Sequence, residues 1–153
     1  MSIHSHIQSN ITKTYLIMSA FVALMVAVAY ILGQALGYGN SLMWFAVLFS
    51  VISSFASYYW GDKLVLAMSH ARPADRKRDF DFFTVAENLA IASGIPKPRL
   101  YVIDDSAMNA FATGRDPQHA VVVATTGLLS RLERREIEGV IAHELSHIKN
   151  FDT

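Results

Sequence analysis

The stretch "TYLIMSAFVALMVAVAYILGQALGYGNSLMWFAVLFSVISSFASYYWG", residues 14–61, contains no Asp, Glu, Lys, Arg or His in 48 consecutive positions. A helix needs about 20 apolar residues to cross the hydrocarbon core of a bilayer, and the run divides into two such lengths, residues 14–32 and 41–60. Between them, "GQALGYGN" supplies three glycines and an asparagine, which is typical of a turn. The stretch therefore predicts a transmembrane helical hairpin. The alternative, a pair of buried core helices, is less favoured because such helices normally carry a polar stripe.

The charges that flank this hairpin predict its orientation. The connecting turn has no Lys or Arg, whereas Lys13 precedes the hairpin and Lys63 and the cluster Arg76-Lys77-Arg78 follow it. Because positive residues stay on the cytoplasmic side, both ends are expected in the cytoplasm. We interpret the basic cluster as a solvated flank that fixes this topology, and contact with anionic lipid headgroups is the alternative.

The composition of the chain limits which cellular compartment and which binding partners are expected. The chain has no cysteine, which agrees with a reducing compartment. Its formal net charge is zero, so nothing indicates binding to nucleic acid. The lipid bilayer is the one partner that composition itself predicts.

The remaining organisation follows from shifts in composition. We expect a cytoplasmic tail (1–13), the hairpin (14–60, with its turn near 33–40), a juxtamembrane linker (61–75) and a folded domain (76–153). His4 and His6 fall in the tail, where a mobile terminus is more plausible than a chelating pair.

Within the folded domain, two segments are predicted to be helical, residues 79–94 and 127–150, because their apolar residues recur at helical spacing. Three short segments are predicted to be strands: "RLYVID" (99–104), "NAFAT" (109–113) and "HAVVVAT" (119–125). A small sheet framed by helices makes the fold class α+β.

One segment, "VIAHELSHIKN" (140–150), carries a chemical pattern. On a helix, His143 and His147 lie one turn apart, so both imidazoles can reach one metal ion. Zinc binds neutral histidine nitrogens, and a catalytic site keeps three protein ligands and one position for water. Glu144 lies about 100° round the helix from His143, beside the metal, where it can take a proton from zinc-activated water. The alternative is a surface helix whose histidines are incidental.

Gly139, one turn before His143, is unexpected within a helix. A glycine there costs about 1 kcal/mol relative to alanine. We expect another element of the fold to approach it closely.

Three blocks of sequence together resemble the HtpX-type membrane zinc metallopeptidases: "ENLAIASGIPKPRLYVIDDSAMNAFATG" (87–114), "AVVVATTGLL" (120–129) and "EIEGVIAHELSHIKNFD" (136–152). The resemblance extends along nearly the whole chain, including the hairpin. It implies a zincin-like domain in a multi-pass, stress-linked protease of the bacterial inner membrane, with a cytoplasmic catalytic domain that cleaves misfolded or damaged membrane proteins. It also implies that His143 and His147 bind zinc and that Glu144 is the catalytic base.

The same resemblance implies a substrate-binding strand and an orienting carboxylate. "NAFATG" (109–114) resembles the strand at the sheet edge beside the zinc, where an extended substrate gains main-chain hydrogen bonds. The expected substrate-binding residues are Asn109, Ala110, Phe111, Ala112 and Thr113. An interior strand is the alternative for this segment. Asp152, five residues after His147, is expected to orient a ligand histidine.

The third zinc ligand that the resemblance implies is a glutamate on a later helix, which we expect beyond Thr153. The glutamates at 133, 136 and 138 lie about 5 to 15 Å along the helix from His143, so they cannot fold back onto the metal. Glu87 belongs to another helix. We therefore expect residues 1–153 to be the amino-terminal fragment of a longer enzyme, with weak zinc binding and little activity alone.

Two hypotheses compete with the peptidase. In one, the chain is a non-catalytic membrane adaptor whose edge strand binds unfolded segments. In the other, it is a structural hairpin with a metal-sensing helix. The identity of the metal is also open, because imidazole ligands suit several divalent ions besides zinc.

Overall fold

The computed structural model describes residues 3–152, with side chains from Ile7 onward, so the side chains of His4 and His6 lie outside the described part. The chain divides into two compact units, Met1–Trp60 and Gly61–Thr153. Helix α1 (Ile3–Ala35) and most of helix α2 (Ser41–Met68) form the first unit.

Both helices are long and apolar enough to cross a bilayer. The most apolar 18-residue windows within Ile7–Ala35 and Ser41–Met68 have mean hydropathies of 2.5 and 1.6. Large apolar side chains are exposed along both, and Leu24 and Trp44 are 61% and 66% exposed. A helix in the core of a soluble domain would bury such side chains, so their exposure agrees with the predicted hairpin.

The helices extend beyond the predicted spans. α1 begins at Ile3, inside the predicted tail, and α2 continues through Met68 into the predicted linker. The extension of α2, "GDKLVLAM", consists mainly of good helix formers, and it ends before Pro73. The turn between the helices is tight, because the N–H of Gly39 donates to the carbonyl of Gly33 (3.1 Å), and Gly37 and Gly39 both have positive φ.

The second unit contains one four-stranded sheet. Its strands are β1 (Arg72–Pro73), β2 (Arg99–Ile103), β3 (Ala110–Thr113) and β4 (Val121–Thr125), in the spatial order β1-β2-β4-β3. β2 and β4 are parallel, and the two outer pairs are antiparallel. The three predicted strands are thus confirmed. β1 was not predicted, because two residues, one of them a proline, carry no alternating pattern.

Three helices complete the second unit: α3 (Phe80–Ser93), α4 (Thr126–Arg131) and α5 (Arg134–Asn150). The predicted amphipathic helix is α3, which ends at left-handed Gly94. The prediction of one helical segment over 127–150 is wrong, since the chain leaves helical geometry at Leu132 and Glu133. There the N–H of Glu133 donates to Glu136 Oε2 (2.8 Å), and this contact helps to begin a new helix.

The core lies on both faces of β4. Val122 and Ala124 pack in the cluster that α3 and α5 cover, whereas Val121 and Val123 pack with Leu66 from the end of α2. β4 is therefore buried throughout, and β3 is left at the edge of the sheet, in contact with α5. The arrangement confirms the α+β class.

Candidate metal centre and sheet edge

Helix α5 presents the chemical motif on its open side. Its buried residues recur every three or four positions, at Ile137, Ile141, Leu145 and Ile148. This stripe sets the rotation of the helix against the sheet and leaves His143 exposed and Glu144 and His147 half-buried. The motif is therefore accessible from solvent.

Gly139 lies away from the buried stripe. Apart from the chain neighbours of Gly139 and its own helix backbone, no atom of residues 3–152 lies within 4 Å of the position that a Cβ would occupy there. The predicted close approach of another element is therefore wrong. The stripe at Ile137 and Ile141 packs against the core, and Gly139 faces outward between them.

The two histidines converge on one point. Their Nε2 atoms are 3.1 Å apart, and the rings are nearly perpendicular, with centroids 4.6 Å apart. A tetrahedral zinc with Zn–N distances of about 2.0 to 2.1 Å holds two nitrogens about 3.3 Å apart. The pair of His143 and His147 thus fits two adjacent corners of a zinc site.

Asp152 lies beside one of these histidines because of how α5 ends. Phe151 adopts left-handed geometry (φ 55°), and the N–H of Asp152 then donates to the carbonyl of His147 (3.2 Å). This turn brings Asp152 Oδ1 to 3.0 Å from His147 Nδ1. Since a carboxylate only accepts, Nδ1 carries a proton, and in the neutral imidazole this arrangement leaves Nε2 with the lone pair that a metal needs. The predicted orienting role stays a prediction, and the contact is the one it requires.

No third ligand joins the histidines in the described part of the chain. Glu87 instead pairs with Lys97 (3.0 Å) and Arg76 (3.3 Å). The hydrogen bond from Lys97, helped by both positive charges, holds the pKa of Glu87 below its usual value despite some desolvation. Glu138 pairs with an arginine of its own helix, since its Oε1 lies 3.8 Å from Arg134 Nε. Residues 3–152 therefore supply only two of the ligands that a zinc ion needs.

The side chain of Glu144 has no hydrogen bond or ion pair with any other residue of the described chain, and Glu144 is half-buried. Its carboxylate is thus available to accept a proton.

The edge position predicted for the "NAFAT" strand is confirmed, and the alternative of an interior strand is wrong. Of the strands in the described chain, β3 has only β4 as a neighbour. The N–H of Asn109 donates to Thr125 Oγ1 (3.0 Å), and the N–H of Thr125 donates to the carbonyl of Asn109 (3.0 Å). Main-chain direction alternates along an antiparallel strand, so Phe111 also bonds towards β4, whereas Ala110 and Ala112 turn their main chain to the open edge.

Side chains of this strand divide between the two faces of the sheet. Ala110 and Ala112 pack towards the core that α5 covers, and Phe111 packs on the opposite face with Val121 and Val123. The open edge of the sheet therefore lies against α5, the helix that carries the two histidines. Whether Asn109–Thr113 bind substrate stays a prediction.

Thr125 is a positioning residue that the residue patterns did not reveal. Its hydroxyl is almost fully buried; it donates to the carbonyl of Ala107 (2.6 Å) and accepts from the N–H groups of Asn109 and Leu128. Two residues later, a Cβ on Gly127 would overlap the backbone of Ser106. This segment thus clamps the loop that leads into β3. In the sequence, "TTGLL" indicated only the start of a helix.

Known proteins resemble the chain along most of its length. Residues 76–153 match peptidase family M48. The protease HtpX homologue of Acidiphilium cryptum is 44% identical over 144 residues, which is 94% of this chain and 48% of that protein. The HtpX homologues of Caldanaerobacter subterraneus and Ralstonia pickettii are 41% and 42% identical over 143 residues, again 94% of this chain and 48% of theirs. The chain thus spans about half the length of these curated relatives. Since the family matches half of the chain and covers the histidine motif, the chain belongs to peptidase family M48.

Proposed function

We propose that the chain supplies the membrane anchor and part of the catalytic domain of a zinc-dependent endopeptidase that cleaves misfolded or damaged membrane proteins during stress. The observation that carries this proposal is the convergence of His143 Nε2 and His147 Nε2 at 3.1 Å. Glu144, whose side chain has no partner in the described chain, follows the first histidine, and the open edge of β3 lies against the same helix. The HtpX relatives are named as proteases, which agrees with this chemistry.

The proposed roles follow from these positions. His143 and His147 would hold zinc, which supplies a Lewis acid that polarises a carbonyl and acidifies water. Glu144 takes a proton from the attacking water and delivers it to the leaving amine. Asp152 keeps His147 Nδ1 protonated, so that Nε2 faces the metal. The open main chain of Ala110 and Ala112 pairs with an extended substrate, which demands little of its side chains.

We further propose that the hairpin lies in a bacterial inner membrane with both of its ends in the cytoplasm. The excess of Lys and Arg outside the turn supports this orientation. Unfolded segments of membrane proteins would then meet the catalytic domain on the cytoplasmic side.

Substitution of the proposed base tests the enzyme against the adaptor. In the longer protein that contains these residues, we expect Glu144→Gln to reduce cleavage of an unfolded membrane protein by orders of magnitude and to leave the zinc content unchanged. Glu138→Gln is the matched control, since Glu138 is an exposed glutamate on the same helix. Undiminished cleavage by Glu144→Gln would contradict Glu144 as the base, and absence of cleavage by the unsubstituted protein would favour the adaptor.

Zinc content tests the proposed ligand set. We propose that a third ligand lies beyond Thr153, because residues 3–152 offer only two. We therefore expect one zinc per chain in the longer protein, and weak zinc binding without proteolysis by residues 1–153 alone. Elemental analysis of both purified proteins gives the answer. Glu144-dependent cleavage by residues 1–153 would contradict the proposal that a third ligand lies beyond Thr153. Absence of zinc from both folded proteins would contradict the proposal that the histidines bind zinc.

A further inference from the structure

A groove of about 280 Å³ lies in the second unit where α3 meets β1 and β2. Its apolar and aromatic lining consists of Pro73, Phe83, Pro98, Leu100 and Tyr101. Lys97 and Arg99 also line it. A groove with this lining suits a ligand that is apolar at one end and anionic at the other.

The rim of the groove carries a net positive charge. Lys97 Nζ lies 4.0 Å and the Arg76 guanidinium 5.2 Å from the centre of the Phe83 ring. Glu87 pairs with both of these cations, and Asp62 pairs with Arg99. Three cations against two carboxylates leave one positive charge, and on the neighbouring turn the charges of exposed Lys77 and Asp75 offset each other. The rim therefore attracts an anion.

The groove also lies close to the proposed membrane surface, and this step rests on the proposed span of residues 41–60. Asp62 is two residues beyond Trp60, or about 3 Å further along α2. The headgroup layer on each side of a bilayer is about 5 to 7 Å thick. Arg99 Nη2 is 2.6 Å from Asp62 Oδ2, so this guanidinium lies at headgroup level. Lys97 is two residues away, at most about 7 Å along an extended chain.

We propose that this groove binds an anionic phospholipid of the surrounding bilayer. Lys97 contacts the phosphate, and the glycerol and first acyl carbons lie over Phe83 and Tyr101. The apolar lining favours a lipid over free phosphate, which would use only the rim. Such a lipid ties the β1–β2 side of the sheet to the membrane surface, at residues that take no part in the candidate metal centre.

Lipid binding by the 153-residue chain tests the proposal without requiring catalysis. The chain is purified in detergent, and native mass spectrometry measures its affinity for phosphatidylglycerol and for phosphatidylcholine. We expect phosphatidylglycerol to bind more tightly, and Lys97→Glu to weaken its first binding step at least tenfold. Arg135→Glu is the matched control, because Arg135 is an exposed cation on α5, and we expect it to change the affinity less than twofold. Lys97→Gln provides a milder variant, and circular dichroism verifies folding.

Three results would overturn the proposal. Equal effects of Lys97→Glu and Arg135→Glu would show that only overall charge matters. Displacement of the lipid by millimolar inorganic phosphate would show a free-anion site. Equal affinity for phosphatidylglycerol and phosphatidylcholine would exclude the anionic headgroup as the determinant. Alkaline extraction of membranes separately tests whether the hairpin spans the bilayer. A chain that stays in the membrane but fails the lipid test therefore refutes lipid binding in the groove and leaves the hairpin proposal standing.

Discussion

A single buried carboxylate, Asp79, holds β1 to the start of α3. Its side chain is only 6% exposed; it accepts from Arg72 Nη1 (2.9 Å) and Nη2 (3.2 Å) and from the N–H of Asp75 (2.8 Å). Burial acts to raise the pKa of Asp79, but the hydrogen bonds from Arg72 and Asp75 and the charge of Arg72 outweigh it. The pKa of Asp79 is therefore held below its ordinary value of 3.8.

This depressed pKa predicts a loss of stability in acid. A carboxylate whose pKa is lower in the folded state stabilises the fold above its unfolded pKa, and that contribution disappears as the pH falls below about 4. Asp79→Asn should lower the free energy of unfolding at pH 7 by up to about 3 kcal/mol, because Arg72 loses the nearer of its two carboxylate partners and keeps only exposed Asp104 at 3.6 Å, and should flatten the acid dependence. Denaturation followed by circular dichroism in detergent from pH 7 to pH 2 measures both effects.

The control for this prediction is Asp81→Asn. Asp81 also pairs with an arginine, Arg134, but its side chain is 58% exposed. We expect this variant to keep the acid dependence of the wild type. An unchanged acid dependence in Asp79→Asn would contradict the role of Asp79.

At the scale of the helix, two glycines are predicted to respond oppositely to alanine. Gly139→Ala should stabilise the 153-residue chain by about 1 kcal/mol, since nothing occupies the space of the new methyl group and alanine favours the helix. Gly127→Ala should destabilise it, because the methyl group would overlap the backbone of Ser106. Thermal denaturation of the two variants compares them directly. Destabilisation by Gly139→Ala would reveal a neighbour that residues 3–152 do not supply.

The clamp on the loop before β3 gives a prediction for the strand. Thr125→Val removes the hydroxyl and leaves the N–H of Asn109 and the carbonyl of Ala107 without that partner, at a cost of about 1 to 3 kcal/mol each where they remain buried. Amide hydrogen exchange should then become faster at Asn109, and Thr125→Ser should restore the wild-type rate. Thr126→Val is the control, since its hydroxyl makes a single exposed hydrogen bond, to the carbonyl of Asp105. Equal exchange in Thr125→Val and the wild type would contradict the clamp.

At the scale of the whole molecule, the orientation of the hairpin can be tested because the chain has no cysteine. Tyr38→Cys places a thiol in the turn, where Tyr38 is 64% exposed, and Lys77→Cys places one after α2. We expect a membrane-impermeant thiol reagent to label position 38 in intact spheroplasts, and position 77 only after lysis. The opposite pattern would reverse the proposed topology.

Local sequence by itself determined the hairpin, helix α3 and the histidine motif. An uncharged run of 48 residues has few stable alternatives to two membrane spans, and an interval of four residues on a helix places His143 and His147 on one side. The three longer strands also followed from local patterns and turn residues. These features depend on residues close together in the chain, so their physical causes are visible in the sequence.

Only the tertiary structure decided which strand is exposed and which contacts complete the site. β2 pairs with β4 and leaves β3 outside, an order that depends on how both faces of β4 are buried by helices distant in sequence. The contact between Asp152 and His147 requires the left-handed turn at Phe151, and the clamp at Thr125 joins residues 16 to 18 positions apart. The contacts of Thr125 form only when packing brings distant segments together. The contact of Asp152 is local, but it needs a left-handed phenylalanine, a geometry that a non-glycine residue seldom adopts and that the sequence does not announce.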